Sequence, residues 1–315
     1  MYKVLSLVKG LSKEVVDDFQ QLHIDEKGAM TREELLRIID NYDGIIADDA
    51  IQYDYGMFGQ AKKLKVLTRF GVGVDNVNIG DAKKFNVKIT NVPGENAESV
   101  AEHTIGMMIA ASKNFATLDK KIKAGEWSRT EALGFELANK TLGQIGFGNI
   151  GKLVAQKCKV AFNMNILVYD PFVPHYEVNN LVYGKKCSFD YVIANSDFIS
   201  INLPATKETK NMFTIKEFRK MKKNVVIVNT GRGEVIVEED LAEALRNREI
   251  FAAGLDVLRK EPPDKDNPLL KEERVILTPH SASFTPEAQS RVLRAALEDQ
   301  MRVFEGKEPF FAINK

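Results

Sequence analysis

The chain has 315 residues, enough for two ordinary domains, and its apolar share of 44% is that of a water-soluble globular protein. Its 44 basic residues balance 44 acidic ones, and the two signs are interspersed, which argues against a nucleic-acid or acidic-lipid partner. The two cysteines, Cys158 and Cys187, form no CxxC pair and no metal-ligand spacing, so neither a disulfide framework nor a metal is expected.

Residues 3–8 read as a strand that starts almost directly at Met1, with none of the features of a secretory leader, and a cytoplasmic location is expected. No apolar run approaches the roughly 20 residues that span a bilayer. Ser12 is placed to cap a helix over 13–22, and Thr31 with Glu34 makes a capping box for a helix over 32–40. Strands are expected at 44–48 and 66–70 with a helix between them, then a helix over 78–85 and a short strand at 87–90. One long helix is expected from Ala97 to about Leu118. Further strands fall at 141–145, 165–169, 198–203, 225–230, 252–257 and 275–278. A last helix, about 286–304, opens on Thr285-Pro286, a cap followed by proline at the first helical position.

This alternation of strand and helix predicts an α/β protein with parallel sheets. The two long helices flank the middle of the chain, so the first domain is expected to be discontinuous, 1–98 plus 287–315, with 99–286 inserted as a second domain.

The run Gly146-Phe147-Gly148-Asn149-Ile150-Gly151 lies between an expected strand and an expected helix, and Asp170 closes the next strand. That order is the context in which GxGxxG signals dinucleotide binding. Gly146 allows the tight turn, Gly148 lets a pyrophosphate approach the backbone, and Gly151 lets helix and strand pack closely. The helix N-terminus favours the anion. Asp170 can accept from ribose hydroxyls and would repel a 2′-phosphate, and Pro171-Phe172-Val173 offers no Arg, so NAD is expected rather than NADP.

In doubly wound sheets ligands bind beyond the carboxyl ends of the strands. Four later residues sit at such positions. Arg232, between Gly231 and Gly233, suits a carboxylate beside an oxo group, though its spacing fits a plain turn equally well. Asp256 reads either as an acceptor for a carboxamide or as a cap. Glu261 alone resembles any loop acid, and a lone His280 resembles many structural histidines. As a pair they make chemical sense, because a carboxylate beside an imidazole orients it and raises its pKa for proton exchange.

The chain resembles the D-isomer-specific 2-hydroxyacid dehydrogenase family. The resemblance rests on RFGVGVDN at 69–76, the GFGNIG turn with Tyr169-Asp170-Pro171, Leu203-Pro204 with Thr209, NTGRGEVIVEEDL at 229–241, AAGLDVLRKEPP at 252–263 and TPHSAS at 278–283. It implies a Rossmann NAD-binding domain inserted into a flavodoxin-like substrate-binding domain. Arg232, Glu261 and His280 are then the catalytic trio. The implied NAD contacts are Thr104, Gly146, Gly148, Asn149, Ile150, Gly151, Asp170, Leu203, Pro204, Thr209, Thr230, Gly231, Arg232, Asp256, His280 and Ala282. The loop Gly71, Val72, Gly73 and Val74, with Arg69 and Arg232, is implied to hold the substrate acid.

Within the family the chain is most similar to the phosphoglycerate dehydrogenase branch, in which Arg69 would meet a substrate phosphate; 3-phosphoglycerate in serine biosynthesis is therefore the expected substrate. Thr130 and Glu131 stand where that branch often has lysines, Val72 replaces a frequent threonine, and the short form, without the regulatory domain of longer members, is expected. The other outcomes are a hydroxypyruvate, glyoxylate or broad 2-oxo acid reductase and an NAD-sensing corepressor-like protein. A homodimer formed through the NAD-binding domain is also implied, with Trp127 on an arm reaching the partner. His103, inside the long helix, reads as a packed or capping residue.

Overall fold

The computed structural model of the chain describes residues 1–127, 129 and 132–314. The expectations resting on Thr130 and Glu131 lie outside them. Two compact units result, one of residues 1–96 and 284–315 and the other of residues 97–283.

The first unit begins with β1 (Tyr2–Ser6), α1 (Lys13–Asp17), β2 (Leu22–Glu26), α2 (Arg32–Ile38) and β3 (Gly44–Ala47). It continues with α3 (Tyr55–Gln60), β4 (Val66–Arg69), α4 (Ile79–Lys84) and β5 (Lys88–Thr90). The strands form one parallel sheet in the order β2-β1-β3-β4-β5, the flavodoxin-like winding. Leu5, Ile45, Leu67 and Ile89 point to one apolar layer, while Val4, Ile46 and Val66 point to the other. Alternate residues of these strands thus bury on opposite faces, as a sheet covered on both sides requires.

The helix expected over 13–22 is corrected by the structure. It ends at Asp17, and Leu22 to Glu26 pairs with β1 as an edge strand. Leu22 and Ile24 alternate with His23 and Asp25 in period two, and both join the apolar layer under β1.

The second unit opens with α5 (Ala97–Ser112) and α6 (Phe115–Lys123). The single helix expected to Leu118 breaks because Asn114 takes a left-handed φ of 56°, a conformation Asn tolerates and a helix interior does not. Next come β6 (Thr141–Ile145), α7 (Asn149–Phe162), β7 (Asn165–Tyr169), α8 (His175–Val182), β8 (Lys185–Lys186) and α9 (Phe189–Asn195). The unit closes with β9 (Phe198–Ile201), α10 (Ile215–Lys220), β10 (Val226–Asn229), α11 (Glu238–Arg246), β11 (Ala252–Leu255) and β12 (Val275–Leu277).

Among the described residues its seven parallel strands run β12-β11-β10-β9-β6-β7-β8, the Rossmann order with one strand added at the far edge. Val226 and Val228 of β10 pack into the layer that holds Leu142 and Val154, and Ile227 packs into the layer of Ile199 and Phe213.

The chain then returns to the first unit as α12 (Pro286–Phe304), whose Leu293 and Leu297 fill the layer over Val4, Ile46 and Val66. Beyond α12, Asn314 acts as a strand substitute. Its side chain accepts from Ile89 N–H and donates to the Val87 carbonyl, each at 2.7 Å, covering the open edge of β5. Among the described residues no helix is long and apolar enough to cross a membrane. Replacing Asn314 with Ala is expected to cost about 1–3 kcal/mol, since it strands a buried donor and acceptor, and a lower urea midpoint would show it.

Candidate active site

The site of the second unit is built at the carboxyl edge of its sheet. Gly146, Gly148 and Gly151 form the turn from β6 into α7. A Cβ on Gly151 would collide with the Gly146 carbonyl, whereas the Cβ position of Gly148 faces open space. Gly148 is the N-cap of α7 and brings no side chain to its first N–H groups, so these stay available at the positive end of the helix beside Asn149 and Ile150. Asp170, just beyond β7, accepts from Phe147 N–H at 2.8 Å, from Phe172 N–H at 2.9 Å and from Val173 N–H at 3.3 Å. A carboxylate has roughly four acceptor positions, so one more donor can be served. An uncapped helix start, an open glycine and an acid with spare capacity fit a dinucleotide. Lys186, which sequence reasoning passed over, donates to the Val173 carbonyl at 2.6 Å and closes the loop behind Asp170.

A buried polar chain supports the next two loops. Gln144 donates to the Gly146 carbonyl and to Asn202 Oδ1, each at 2.9 Å. Asn202 donates to Thr230 Oγ1 at 2.9 Å, and Thr230 and Thr104 share a 2.8 Å hydroxyl contact. Thr104 already spends its hydrogen on the Val100 carbonyl at 2.7 Å, so Thr230 is the donor between them. Leu203 is buried beside this chain, and Thr209 closes the loop after it by donating to the Pro204 carbonyl at 2.6 Å.

Arg232 follows β10 in a turn braced by Asn229, which accepts from Gly231 N–H at 3.0 Å and donates to the Arg232 carbonyl at 2.9 Å. Gly233 carries this turn onto the next loop, for any side chain there would strike the Leu258 carbonyl. Glu261 lies on that next loop. Buried Glu238, at the start of α11, holds the loop by accepting from Arg259 N–H and from Asn267, each at 2.7 Å. Nothing in the sequence distinguished Glu238 from the two acids that follow it.

His280 and Glu261, 19 residues apart, meet with Nδ1 at 2.7 Å from Oε2. Leu258 N–H donates to the other carboxylate oxygen at 2.9 Å. The Glu261 hydrogen bond is the main cause that raises the His280 pKa above its ordinary 6.5, outweighing burial and the Arg232 charge, which both lower it. Burial would push Glu261 up, but the His280 and Leu258 hydrogen bonds and the charges of His280 and Arg232 hold it below its ordinary value. Because the ionised Glu261 only accepts, Nδ1 carries the hydrogen and Nε2 is the nitrogen left for proton exchange.

Asp256, at 2% exposure, takes Thr278 Oγ1 at 2.6 Å, Ser281 N–H at 2.9 Å and Ala282 N–H at 2.9 Å on its carboxylate. The His280 N–H adds a 2.8 Å bond to the Asp256 carbonyl. The carboxylate expected to accept from a ligand carboxamide therefore also ties down the loop that carries His280.

In the first unit, the loop after β4 contains Gly71, Val72, Gly73 and Val74. Gly71 N–H closes the turn onto the Arg69 carbonyl at 2.8 Å. The N–H groups of Val72, Gly73 and Val74 make no hydrogen bond to another described residue. Arg69 is only 7% exposed and donates to the Ala47 carbonyl at 2.7 Å and the Gly73 carbonyl at 3.0 Å. Its guanidinium thus ties the loop, through Nε, to the end of β3, through Nη1. Among the described residues no cluster of three His, Cys, Asp or Glu could hold a metal.

A profile of the D-isomer specific 2-hydroxyacid dehydrogenase family, NAD binding domain, matches residues 105–282. The chain is 40% identical over 314 residues to the D-3-phosphoglycerate dehydrogenase of Archaeoglobus fulgidus, covering 99% of this chain and 59% of that protein. It is 38% identical over 265 residues to the hydroxypyruvate reductase of Thermotoga maritima, covering 84% of this chain and 85% of that protein. The crystal structure of the TT0316 protein from Thermus thermophilus superposes with a TM-score of 0.90 at 27% identity over 99% of each chain. The chain belongs to the D-isomer specific 2-hydroxyacid dehydrogenase family, and its second unit carries the family's NAD-binding domain. It spans about half the length of the phosphoglycerate dehydrogenases it matches, 59% of the A. fulgidus protein and 53% of one from Methanocaldococcus jannaschii.

An NMR titration of the His280 ring is expected to show a pKa above the ordinary histidine value, and Glu261→Gln should bring it down. An unchanged titration in that variant would contradict the pairing described.

Proposed function

We propose that the protein is an NAD-dependent oxidoreductase that interconverts a D-2-hydroxy acid and its 2-oxo acid, with 3-phosphoglycerate and 3-phosphohydroxypyruvate as the pair. The observation that carries the reaction class is the His280–Glu261 pair, held in the same unit as a turn fitted to a dinucleotide. NAD supplies the hydride acceptor in oxidation, and NADH the donor in reduction. The substrate reading is supported by relatives from A. fulgidus, M. jannaschii and Bacillus subtilis, each named D-3-phosphoglycerate dehydrogenase. On this reading the protein acts in serine biosynthesis.

His280 Nε2 takes the proton of the substrate hydroxyl in oxidation and returns it in reduction. Glu261 keeps the ring oriented and stabilises the imidazolium. Arg232 supplies a permanent planar charge to the carboxylate and the neighbouring oxygen, most needed as negative charge builds on that oxygen. In the first unit, proposed as the substrate-binding domain, the N–H groups of Val72, Gly73 and Val74 serve the carboxylate, and Arg69 keeps them in place. The α7 N-terminus with Asn149 and Ile150, together with Asp170, serves the dinucleotide; Thr104, Leu203, Pro204, Thr209, Thr230, Gly231, Asp256 and Ala282 line its remainder.

A homodimer through the second unit is part of this reading. The α6 helix buries none of its residues, Phe115 and Ile122 are exposed on it, and Trp127 is 81% exposed just beyond it. Light scattering is expected to give twice the chain mass, and a monomer would remove this element.

The direct test is NADH oxidation with 3-phosphohydroxypyruvate, hydroxypyruvate, glyoxylate and 2-oxoglutarate at equal concentration. Preference for the phosphorylated acid is expected, and loss of about 10³-fold or more in kcat with His280→Ala. Preference for glyoxylate or hydroxypyruvate would keep the chemistry and overturn the substrate. Reduction needs the imidazolium, so kcat/KM for reduction should hold at low pH and fall as pH rises through the raised His280 pKa. Oxidation needs the neutral ring and should rise through the same value. Glu261→Gln should move both limbs to lower pH. Arg69→Ala should raise KM for all four acids alike, because it releases the Gly73 carbonyl and loosens the whole loop.

A further inference from the structure

We infer that His103 is a positioning residue for His280, acting through Thr278 and Asp256; the inference rests on the proton-transfer role proposed for His280. His103 lies on α5, and its Nε2 is 3.1 Å from Thr278 Oγ1 and 3.6 Å from Asp256 Oδ1. The direction of the first contact follows from counting hydrogens. The Thr278 hydroxyl has one hydrogen and donates it to Asp256 Oδ1 at 2.6 Å, a short bond to an acceptor-only carboxylate. Thr278 Oγ1 can therefore only accept from His103, which fixes the hydrogen on Nε2 of that ring. The result is a one-way chain from His103 N–H to the Thr278 hydroxyl to the Asp256 carboxylate.

The far end of this chain is the loop that needs holding. Asp256 also gathers Ser281 N–H, Ala282 N–H and, through its carbonyl, His280 N–H. His280 itself has a left-handed φ of 50°, a backbone state that a non-glycine residue keeps only when its surroundings enforce it. The enforcing contacts are those of Asp256 and a 3.0 Å bond from His280 N–H to the Thr278 carbonyl, and Thr278 shares Oδ1 of the buried Asp256 with Ser281 N–H. A donor on the far side of Thr278 fixes that hydroxyl rotor. Such a hydrogen bond is polarised by the carboxylate beyond it and is stronger for it. His103 is also the residue before Thr104, whose hydroxyl meets Thr230 in the Arg232 turn. One turn of α5 thus sets both the loop that bears His280 and the turn that bears Arg232.

The test uses the full chain with NADH and 3-phosphohydroxypyruvate, or glyoxylate if that is the better acceptor. His103→Phe keeps ring volume and removes the donor; His103→Gln keeps an N–H at similar reach; Thr278→Val breaks the same chain at its middle. His103→Phe is expected to lower kcat about 10-fold while KM for the 2-oxo acid stays within about twofold, the pattern of a misplaced proton donor with an intact anion site. His103→Gln should restore most of the loss. The double variant His103→Phe with Thr278→Val should be no worse than the poorer single variant, as for residues acting in one chain.

A wild-type kcat for His103→Phe, a Gln variant no better than Phe, or fully additive losses would overturn the inference. If His103→Phe does not fold, Thr278→Val against Thr278→Ser decides, with Ser expected to retain activity and equal losses overturning the chain. A His280→Gln variant separates the two levels. Full turnover in it would remove the proton-transfer reading itself, whereas loss in it beside an unaffected His103→Phe would remove only the positioning role.

Discussion

The active edge of this protein depends on a carboxylate taken out of water. Burying an ionised acid is costly unless its lone pairs are filled, and Asp256 is filled almost wholly by one neighbouring loop. The loop is therefore as fixed as the acid is buried. His280, an ordinary side chain on an unusual backbone conformation, inherits its direction from that constraint, and Glu261 then has a defined ring to meet.

The same logic repeats across the sheet edge. Glu238 is a second buried acid that spends itself on backbone and amide donors, and the loop it pins is the one that carries Glu261. Asn229 plays the neutral version of the part for the Arg232 turn. Glycine allows these loops to touch, most plainly at Gly233, where contact with the 258–259 backbone leaves no room for a side chain. Three loops that are distant in sequence can then hold three charged groups with little freedom in any of them.

Much of this was legible beforehand because it is local. The GxGxxG turn, the acid after the next strand and the capping box are patterns of a few residues, and the structure carries the capping box of Thr31 and Glu34 as written. The parallel character of both sheets follows from strand and helix alternation. What escaped was either a weak signal or a three-dimensional one. The strand at 22–26 has only two apolar residues on its inner face, and the Asn114 break interrupts an otherwise continuous helical pattern. Glu238 and Lys186 look like surface residues, and His103 like a packed or capping one, until the loops they hold are brought to them. Arg69 was visible as a charge beside a glycine loop, but not as the brace of that loop, because the carbonyl of Ala47 lies 22 residues away.

The order of the two units along the chain has a consequence for how the protein is made. The second unit is one uninterrupted stretch, so every strand and helix of its core has been synthesised by residue 283. The first unit is begun earlier and finished later. Its layer of Val4, Ile46 and Val66 has no cover from Leu293 and Leu297 until α12 is made. During synthesis the inserted unit can complete its core while the unit that precedes it still exposes apolar surface on one sheet face. That face is the part of the nascent chain most open to aggregation and to chaperone capture, and it closes only when α12 arrives.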